Sequence, residues 1–325
     1  MKAKNKWLQF TKIVLCILGI TLGIYAISWL LGGAFNHSKN GISIKAITNN
    51  DQAINLNVLP KKYPKKNPNV KDPQIFAKTA YLIDGTSFYP LYSKREDEKV
   101  PIASTTKMAT AITVLENYPD KLNDTVTITS KMINVEGSDI KLRPGEKITV
   151  ENLLNGLLIM SGNDTAYSLA EYFGGKEKFV LEMNKKVEEI GLKNTHYKDP
   201  AGLDDDGYST AKDLAILAAY NLKNSKFATI VKTTEKTVYS TDGKIAHELK
   251  NSNRLIHTDE PYYLPYAIGV KTGFTYGAGH ALVSAGQKDG KLLISVVLNT
   301  NENTITASAK ESKKLLEWGF NSWTW

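Results

Sequence analysis

The chain has 325 residues, a single cysteine and a formal net charge of +8 at pH 7. This length allows one domain of about 250 residues together with flanking segments. A single cysteine excludes a fold held by disulfide bonds within the chain. The charge does not indicate a nucleic-acid partner, because 11 of the 41 Lys and Arg residues lie in residues 1–74, beside only two acidic residues. The remaining 30 basic and 31 acidic residues leave the rest of the chain about neutral.

The first 35 residues have the pattern of a membrane-crossing segment. Residues 1–12 contain four lysines, and residues 13–35 are almost uninterrupted apolar sequence, long enough to span a bilayer. The positive-inside rule then predicts a cytoplasmic basic tail at 1–12, one transmembrane helix at 13–35 and an extracytoplasmic domain. A cleavable signal peptide is the alternative, since Gly32-Gly33-Ala34 supplies small residues. The apolar core of about nineteen residues is longer than the usual 7–15 of a signal peptide, which favours an uncleaved anchor.

Residues 36–74 have the composition of a flexible basic linker. Asn, Lys and Pro dominate, as in Pro60-Lys-Lys-Tyr-Pro-Lys-Lys-Asn-Pro68, and little can be buried. The excess of lysine suits a segment that lies beside anionic lipid or another anionic polymer. A linker that serves only solubility is the alternative. A folded domain is predicted over residues 75–325.

Within that domain, the predicted elements alternate between strands and helices. A hairpin is predicted for Thr79–Asp84 and Ser87–Tyr92, around Gly85. Helices are predicted at Ser104–Leu115, Val150–Ser161, Lys176–Ile190 (with Gly191 as the stop) and Thr210–Leu222. Strands follow at Thr233–Ser240, Ala267–Thr272, Gly279–Lys288 and Leu292–Leu298, before a last helix at about Ala307–Trp318. Strands at both ends with helices between them predict an α/β fold in which the two terminal segments close one sheet around a helical insert.

Three short motifs occur in a fixed order along the domain. They are Ser104-Thr105-Thr106-Lys107, Ser161-Gly162-Asn163 and Lys271-Thr272-Gly273. Each has an ordinary structural explanation when taken alone: a helix cap, a turn and the end of a strand. Together, in this order, they match the S-x-x-K, S-x-N and K-T-G set of penicillin-recognising serine acyl-transferases.

These residue types suit the acylation of a serine. A serine hydroxyl is a poor nucleophile until a base removes its proton, and Lys107 lies three positions after Ser104, on the same helix face. A lysine acts as a base only when it is neutral, which requires burial or a neighbouring cation such as Lys271. Ser161 can relay a proton to a leaving amine, and Asn163 offers an amide that can hold a substrate peptide group.

The third motif ends a predicted strand, and its glycine has a separate use. Gly273 lets another backbone approach the strand closely. An extended peptide can also pair with the edge of such a strand by strand addition. The motif therefore predicts a binding edge for a peptide substrate.

Longer stretches around the motifs resemble the low-molecular-mass penicillin-binding proteins, specifically the serine-type D-alanyl-D-alanine carboxypeptidases of bacterial cell walls (peptidase S11-like). These stretches are Ile102–Met108, Leu157–Asp164, Asp199–Leu203, Ser209–Asp213, Lys271–Thr275 and Glu311–Phe320. The resemblance covers about residues 75–321. It implies a β-lactamase/DD-peptidase-like fold, with an antiparallel sheet flanked by helices and an all-helical insert. The implied reaction removes the terminal D-Ala from peptidoglycan stem pentapeptides ending in D-Ala-D-Ala, with β-lactams as covalent inhibitors and without a metal or cofactor.

The resemblance also implies a role for each site residue. Ser104 is the residue acylated, Lys107 is its base, and Ser161 completes the catalytic set. The backbone amides of Ser104 and Phe274 form the oxyanion hole. The implied substrate-binding residues are Asn163, Lys271, Thr272, Gly273 and Phe274.

The sequence departs from the family pattern in two places. Many members continue into a β-rich domain and a C-terminal amphipathic helix, whereas this sequence ends at Trp325, and we expect neither feature. Members also often carry an arginine shortly before the Glu-Ser-Lys-Lys string, where this chain has only Lys310. Binding of the substrate carboxylate is then expected to fall mainly to Thr272 and Lys271, or to Lys310 with poorer geometry.

Other chemistries fit the sequence less well. No serine lies in a G-x-S-x-G elbow, which argues against an α/β-hydrolase. The five histidines form no H-x-x-H or H-E-x-x-H pair, which argues against a zinc peptidase. Two alternatives to the carboxypeptidase remain. A β-lactamase shares the motif order but needs a dedicated base for the deacylating water, and no loop carrying such a base is recognisable beside the Ser161-Gly162-Asn163 motif. A catalytically weak cell-wall-binding protein would be favoured by the loss of a motif residue, and none is lost.

Overall fold

The computed structural model describes residues 63–325 apart from residues 301 and 303. The predicted cytoplasmic tail (1–12), membrane segment (13–35) and most of the predicted linker (36–62) lie outside these residues. Among the helices that are described, none has the length and apolar character needed to cross a bilayer.

The elements of the described residues are as follows in chain order. The strands are β1 (Lys65–Lys66), β2 (Ala77–Asp84), β3 (Pro90–Lys94), β4 (Thr125–Thr127), β5 (Lys147–Thr149), β6 (Glu235–Tyr239), β7 (Ala246–Lys250), β8 (Ala267–Thr275), β9 (Gly279–Lys288), β10 (Lys291–Thr300) and β11 (Trp323–Thr324). The helices are α1 (Lys107–Asn117), α2 (Ser130–Ile133), α3 (Val150–Asn155), α4 (Asn163–Tyr172), α5 (Lys176–Ile190), α6 (Ala211–Asn221), α7 (Ser225–Lys232) and α8 (Ala307–Ser322). A 3₁₀ turn at Ala103–Thr106 leads into α1, and a π-helical turn at Gly156–Met160 follows α3.

The main sheet has the strand order β3-β2-β10-β9-β8, and each neighbouring pair is antiparallel. Early strand β2 pairs with late strand β10, so the two terminal segments share one sheet as predicted. Along β2, Tyr81 and Ile83 face the core formed with the insert, whereas Leu82 faces the core under α8. Gly319 lets α8 lie close to this second face, since a Cβ atom there would lie 2.6 Å from Leu82 Cδ2. Successive side chains of a strand point to opposite faces, so both faces of the sheet are buried, one against the insert and the other against α8.

The insert lies between β3 and β8, and it is mainly helical. Helices α1, α5 and α6 lie where helices were predicted, and α5 ends at Gly191, which has a φ of +91°. The prediction of an all-helical insert is wrong in detail, because β4 pairs with β5 and β6 pairs with β7. Strand β7 gives a weak sequence signal, since Ala246, Glu248 and Lys250 belong to residue types that are depleted in strands.

Residues 63–74 differ from the flexible linker that their composition predicted. Strand β1 pairs with β11 at the other end of the chain. Tyr63 stacks on Tyr89 with ring centroids 5.5 Å apart, and Trp318 Nε1 donates a hydrogen bond to the Lys71 carbonyl oxygen at 2.9 Å. Local composition misses such contacts because the partners lie far away in the sequence. The folded part of the chain therefore includes residues 63–74.

Candidate active site

Ser104 lies in the 3₁₀ turn before α1, and glycines of two other segments contact this turn. A Cβ atom on Gly202 would lie 1.9 Å from the Ala103 carbonyl oxygen, and one on Gly273 would lie 3.0 Å from the Ile102 carbonyl oxygen. Gly202 also has a φ of +80°, which favours glycine. The turn that presents Ser104 is thus enclosed between the loop of Gly202 and strand β8, with no room for a side chain on either side.

Lys107 is the first residue of α1, and its amine contacts three oxygen atoms. Nζ lies 2.7 Å from Ser104 Oγ, 2.7 Å from Asn163 Oδ1 and 2.9 Å from the Ala201 carbonyl oxygen. The oxygens of Asn163 and Ala201 can only accept, so they match the two N–H groups of a neutral amine. The lone pair of that amine is then left for Ser104, whose hydroxyl can donate a proton. The contacts therefore fit a neutral lysine that acts as the base of Ser104.

Burial is the main reason why the pKa of Lys107 is low. The side chain is fully buried, and this lowers its pKa well below the usual value of a lysine. The positive charge of Lys271 lowers the pKa further, whereas Asp199 and Asp164 act in the opposite direction. The two causes expected from the sequence, burial and a neighbouring cation, both contribute, and burial is the larger.

Lys271 is itself buried in β8, and burial lowers its pKa to about 7. Its amine donates a hydrogen bond to the Thr272 carbonyl oxygen at 3.1 Å. Near neutral pH both protonation states of Lys271 are therefore populated, so the charge that it exerts on Lys107 depends on pH. A carboxylate bound beside Lys271 would favour its protonated form.

The second motif meets Lys107 through Asn163, whose Oδ1 accepts from the lysine amine. Ser161 has a φ of +68° and joins the π-helical turn to α4. Asn163 Nδ2 donates to the Glu136 carbonyl oxygen, and Asn163 N donates to the Ser138 carbonyl oxygen, both at 2.6 Å. These bonds hold Oδ1 against Lys107 and leave one side-chain N–H of Asn163 for a substrate. Within residues 63–300 the Ser161 hydroxyl has no hydrogen-bond partner, and its role as a proton relay stays a prediction.

The third motif lies on β8, the edge strand of the main sheet, where an extended peptide can pair with the backbone. The Thr272 hydroxyl oxygen lies 2.6 Å from the Ser252 hydroxyl oxygen and 3.5 Å from Lys271 Nζ. Gly273 lies where β8 comes close to the turn that carries Ser104, and the side chain of Phe274 is exposed. Two adjacent hydroxyls and an amine therefore line this edge.

Three contributors to the site carry no recognisable motif: the Ala201 carbonyl, the Asp199 carboxylate and the Ser252 hydroxyl. Asp199 accepts hydrogen bonds from the backbone N–H groups of residues 201–204 at 2.7–3.0 Å. These bonds hold the Ala201 carbonyl oxygen against Lys107. The family resemblance included residues 199–203 but gave them no role. A contact made by a backbone atom does not depend on the side chain, so the sequence does not reveal it.

Two of the histidines, His196 and His257, lie in structural positions away from the three motifs. His196 exchanges backbone hydrogen bonds with Tyr208. His257 Nε2 lies 2.7 Å from the Asn251 carbonyl oxygen. In the described part of the chain, no group of three or more His, Cys, Asp or Glu residues converges in a way that could hold a metal ion.

Sequence and structure comparisons agree with the geometry of the site. The family model described as D-alanyl-D-alanine carboxypeptidase matches residues 66–302, which include the three motifs. The D-alanyl-D-alanine carboxypeptidase DacF of Bacillus subtilis is 36% identical over 253 residues, which cover 76% of this chain and 63% of DacF. The D-alanyl-D-alanine carboxypeptidase of Streptomyces sp. strain K15 is 34% identical over 267 residues, which cover 77% of this chain and 89% of that protein.

A solved structure extends the comparison to three dimensions. The crystal structure of the Streptomyces K15 DD-transpeptidase has a TM-score of 0.72 and 34% sequence identity to this chain, and the match covers 78% of this chain and 100% of the other. The chain thus matches the whole of this transpeptidase but less than two thirds of DacF. Together with the family model and the arrangement of the three motifs, these matches show that the chain belongs to the D-alanyl-D-alanine carboxypeptidase family of serine peptidases.

Proposed function

We propose that the protein is a D-alanyl-D-alanine carboxypeptidase, which removes the terminal D-Ala from peptidoglycan stem pentapeptides. The observation that carries the proposal is the 2.7 Å contact between the Ser104 hydroxyl and the fully buried amine of Lys107, beside an edge strand that can pair with a peptide. The relatives named as carboxypeptidases support the same activity. β-Lactam antibiotics are expected to acylate the same serine.

In the first half-reaction, Ser104 Oγ attacks the carbonyl carbon of the penultimate D-Ala, while Lys107 takes the hydroxyl proton. The backbone N–H groups of Ser104 and Phe274 stabilise the negative charge that develops on the carbonyl oxygen. The C–N bond then breaks, and the nitrogen of the leaving D-Ala receives a proton from Lys107 through the Ser161 hydroxyl. The result is an ester on Ser104 and free D-Ala.

In the second half-reaction, water attacks the ester carbonyl and gives a proton to Lys107. The C–O bond to Ser104 breaks, and the serine oxygen takes that proton back. The stem peptide leaves one residue shorter, and the enzyme returns to its starting state. Lys107 thus serves as base and acid in turn, which is the reason for a lysine with a lowered pKa.

We further propose that the substrate's terminal carboxylate is held by the hydroxyls of Thr272 and Ser252 together with the Lys271 amine. These three groups lie side by side at the edge of β8. Lys310, the other candidate from the sequence, has its amine 2.6 Å from Glu302 Oε1. That ion pair disfavours Lys310 as a carboxylate ligand.

For its place in the cell, we propose a single-pass membrane protein with the catalytic domain on the wall side. The support is the length of the apolar stretch at 13–35 and the lysines that precede it. The full-length protein is then expected in the membrane fraction after carbonate washing, at its unprocessed mass. A mature form in the medium that begins near residue 35 would instead identify a cleaved signal peptide.

The activity is tested with two measurements on the same preparation. D-Ala release from a pentapeptide ending in D-Ala-D-Ala should be abolished by Ser104→Ala, and so should labelling by a fluorescent penicillin. Intact-mass analysis after benzylpenicillin should show a long-lived adduct. Rapid loss of that adduct would favour the β-lactamase alternative, and labelling without any D-Ala release would favour a weak wall-binding protein. Labelling that persists in Ser104→Ala would contradict the assignment of the nucleophile.

A further inference from the structure

One end of the domain carries five aromatic side chains close together, which we call the tryptophan cluster: Tyr63, Tyr89, Trp318, Trp323 and Trp325. Between ring centroids, Tyr63 lies 5.5 Å from Tyr89, Tyr89 lies 6.1 Å from Trp323, and Trp323 lies 6.3 Å from Trp318. Trp325 Nε1 donates a hydrogen bond to Asp84 Oδ2 at the end of β2. Tyr63 is 45% exposed, and the other four rings are partly exposed. A contiguous surface of this kind marks an interaction site more often than a single exposed side chain does.

The tryptophan cluster lies where the folded domain begins. Strand β1, two residues after Tyr63, pairs with β11, so that Lys66 is opposite Trp323. In the sequence, residues 36–62 are all that separates Tyr63 from the apolar stretch at 13–35. If that stretch spans a bilayer, as proposed above, the cluster is tethered close to the same bilayer. A tethered surface meets its partner at a high effective concentration, so a weak intrinsic affinity is sufficient to hold it there.

Lysines flank the cluster. Four of them form no ion pair within the described residues: Lys65, Lys71, Lys288 and Lys291. Lys291 Nζ lies 5.8 Å from the centroid of the Trp325 ring, and Lys288 pairs with Lys291 across the turn between β9 and β10. Of the carboxylates nearby, Asp72 is paired with Lys66, and Asp84 is engaged with Trp325. Asp289 is exposed in the turn. The free charge around the cluster is therefore mainly positive.

This combination of residue types suits the surface of an anionic bilayer. Tryptophan and tyrosine concentrate at membrane–water interfaces, because each joins an apolar ring to a polar group that stays in contact with water. Lysines beside the rings are attracted to anionic head groups, and their aliphatic stems lie along apolar surface while the ammonium group stays in water. The rings and the charges of the cluster thus favour the same partner.

We propose that the tryptophan cluster and its flanking lysines form a docking surface for the head groups of an anionic lipid bilayer. The proposal rests on the single-pass location proposed above and adds an orientation to it. Leu282, the partner of Thr272 in the sheet, lies about 20 Å along β9 from Lys288, at about 3.3 Å per residue. The edge that binds the substrate carboxylate is then about 20 Å along the strand from the docked end. The enzyme would accordingly meet stem peptides close to the membrane.

The test uses the full chain, reconstituted into vesicles of phosphatidylcholine with or without phosphatidylglycerol. Trp318, Trp323 and Trp325 are the only tryptophans after residue 29, so Trp7→Phe with Trp29→Phe restricts tryptophan emission to the cluster. Lipids brominated near the head group quench the emission of a tryptophan that lies close to them. We expect quenching in the vesicles that contain phosphatidylglycerol, and we expect it to weaken as salt is added.

Two charge-reversal variants in that background locate the contact. A lysine near an anionic surface contributes about a fivefold gain in partitioning, so Lys65→Glu with Lys291→Glu should weaken docking by on the order of 25-fold and abolish the quenching. Lys147→Glu with Lys193→Glu is the matched control, since these exposed lysines of the insert also form no ion pair within the described residues. The control should keep the quenching. Acylation by benzylpenicillin should be the same in both variants, which shows that the fold is intact.

The outcomes separate the docking surface from the proposed anchor and activity. Equal quenching in the two variants, or none in either of them and none in their parent, would overturn the docking surface. Retention of the unquenched protein by purified peptidoglycan, lost in Lys65→Glu with Lys291→Glu, would also overturn it and assign the surface to the wall polymer. Release of the chain from vesicles by carbonate would overturn the anchor instead, and quenching of the released chain by fresh vesicles would still decide the docking surface. Absence of D-Ala release would overturn the activity and leave this measurement unaffected.

Discussion

The amine of Lys107 lies 2.7 Å from the hydroxyl oxygen of Ser104, and no part of the lysine side chain is exposed to solvent. Burial makes the charged form of the lysine unfavourable, and the contact places the neutral form where it can accept the serine proton. A residue that is ordinarily a surface cation thereby becomes a general base. The cost of burying this amine is offset by hydrogen bonds to the oxygens of Asn163 and Ala201.

The first prediction concerns the base. Lys107→Arg replaces a lysine that is neutral in the active form by a permanently charged side chain, and it should reduce the acylation rate by about 10²–10⁴-fold, because a guanidinium group does not lose its proton in a protein. The rate is measured by stopped-flow with a fluorescent penicillin. Since arginine is larger than lysine, Lys107→Ala with added methylamine serves as the control, and partial rescue is expected there. Near-native acylation by Lys107→Arg would exclude Lys107 as the base.

The second prediction concerns pH. As pH falls, Lys107 gains a proton and kcat/KM should decrease; as pH rises through about 7, Lys271 loses its proton and its attraction for the substrate carboxylate should be lost. The profile of kcat/KM, which reports the free enzyme, is therefore bell-shaped. The alkaline limb of kcat should lie at higher pH, because the bound carboxylate stabilises protonated Lys271. A peptide that ends in a carboxamide should lack this alkaline limb, and identical limbs for both peptides would contradict the role of Lys271.

The third prediction concerns the paired hydroxyls of Ser252 and Thr272. Ser252→Ala should raise KM for the carboxylate peptide about tenfold with little change in kcat, since one hydrogen bond to a charged group contributes about 1.5 kcal/mol. The carboxamide peptide is the control, and its KM should change much less. Because the two hydroxyls are in contact, Ser252→Ala and Thr272→Val should not be additive. Additive effects would show that the hydroxyls act independently of each other.

The fourth prediction concerns the loop that carries Ala201. Asp199→Ala removes an acceptor shared by four backbone N–H groups and should lower the free energy of unfolding by about 3 kcal/mol, measured with urea. Activity should fall as well, because the Ala201 carbonyl loses its fixed position beside Lys107. Asp199→Asn keeps one acceptor oxygen and should give an intermediate loss of stability. Full stability and activity in Asp199→Ala would rule out this positioning role.

Much of the fold was predictable because its signals are local. The central strands of the main sheet are short runs that are buried on both faces and rich in apolar residues, and α5 has both a helical period and a glycine stop at Gly191. The part that was not predictable depends on distant partners. Residues 63–74 are ordered by contacts with β11 and α8, and β7 is a strand chiefly because β6 lies beside it.

The residues of the candidate site also fall into a group that was predictable from the sequence and a group that was not. The side chains of the three motifs were predictable from residue type, because a nucleophile, a base and an amide are chemical identities. The Ala201 carbonyl and the carbonyls of Glu136 and Ser138 contribute through the backbone, and any residue type supplies such a carbonyl. Ser252 comes next to Thr272 only because the segment after β7 passes the edge of β8. Contacts of these two kinds become visible only in three dimensions.

The last prediction concerns a buried pair that supports the loop in contact with Asn163. His247 Nε2 lies 2.6 Å from Glu146 Oε1, and His247 Nδ1 lies 2.7 Å from the Ile140 carbonyl oxygen. Both side chains are almost fully buried. The backbone N–H of Ile140 in turn donates to the carboxylate of Asp164, the residue after Asn163. The pair therefore joins strand β7 to the loop that fixes Asn163.

His247→Ala removes one of the two hydrogen-bond partners of the buried Glu146 carboxyl group, the other being the Arg143 backbone N–H, and this should lower the free energy of unfolding by about 2–3 kcal/mol. Replacing both residues, in the double variant His247→Leu with Glu146→Leu, should restore most of that stability, because neither polar side chain is then left buried without the other. Urea unfolding of His247→Leu, Glu146→Leu and the double variant gives the coupling between the residues. If His247→Ala unfolds at the same urea concentration as the unmodified protein, the pair does not brace the loop. A double variant that is stable but acylates slowly would show that the pair positions Asn163 in addition to stabilising the fold.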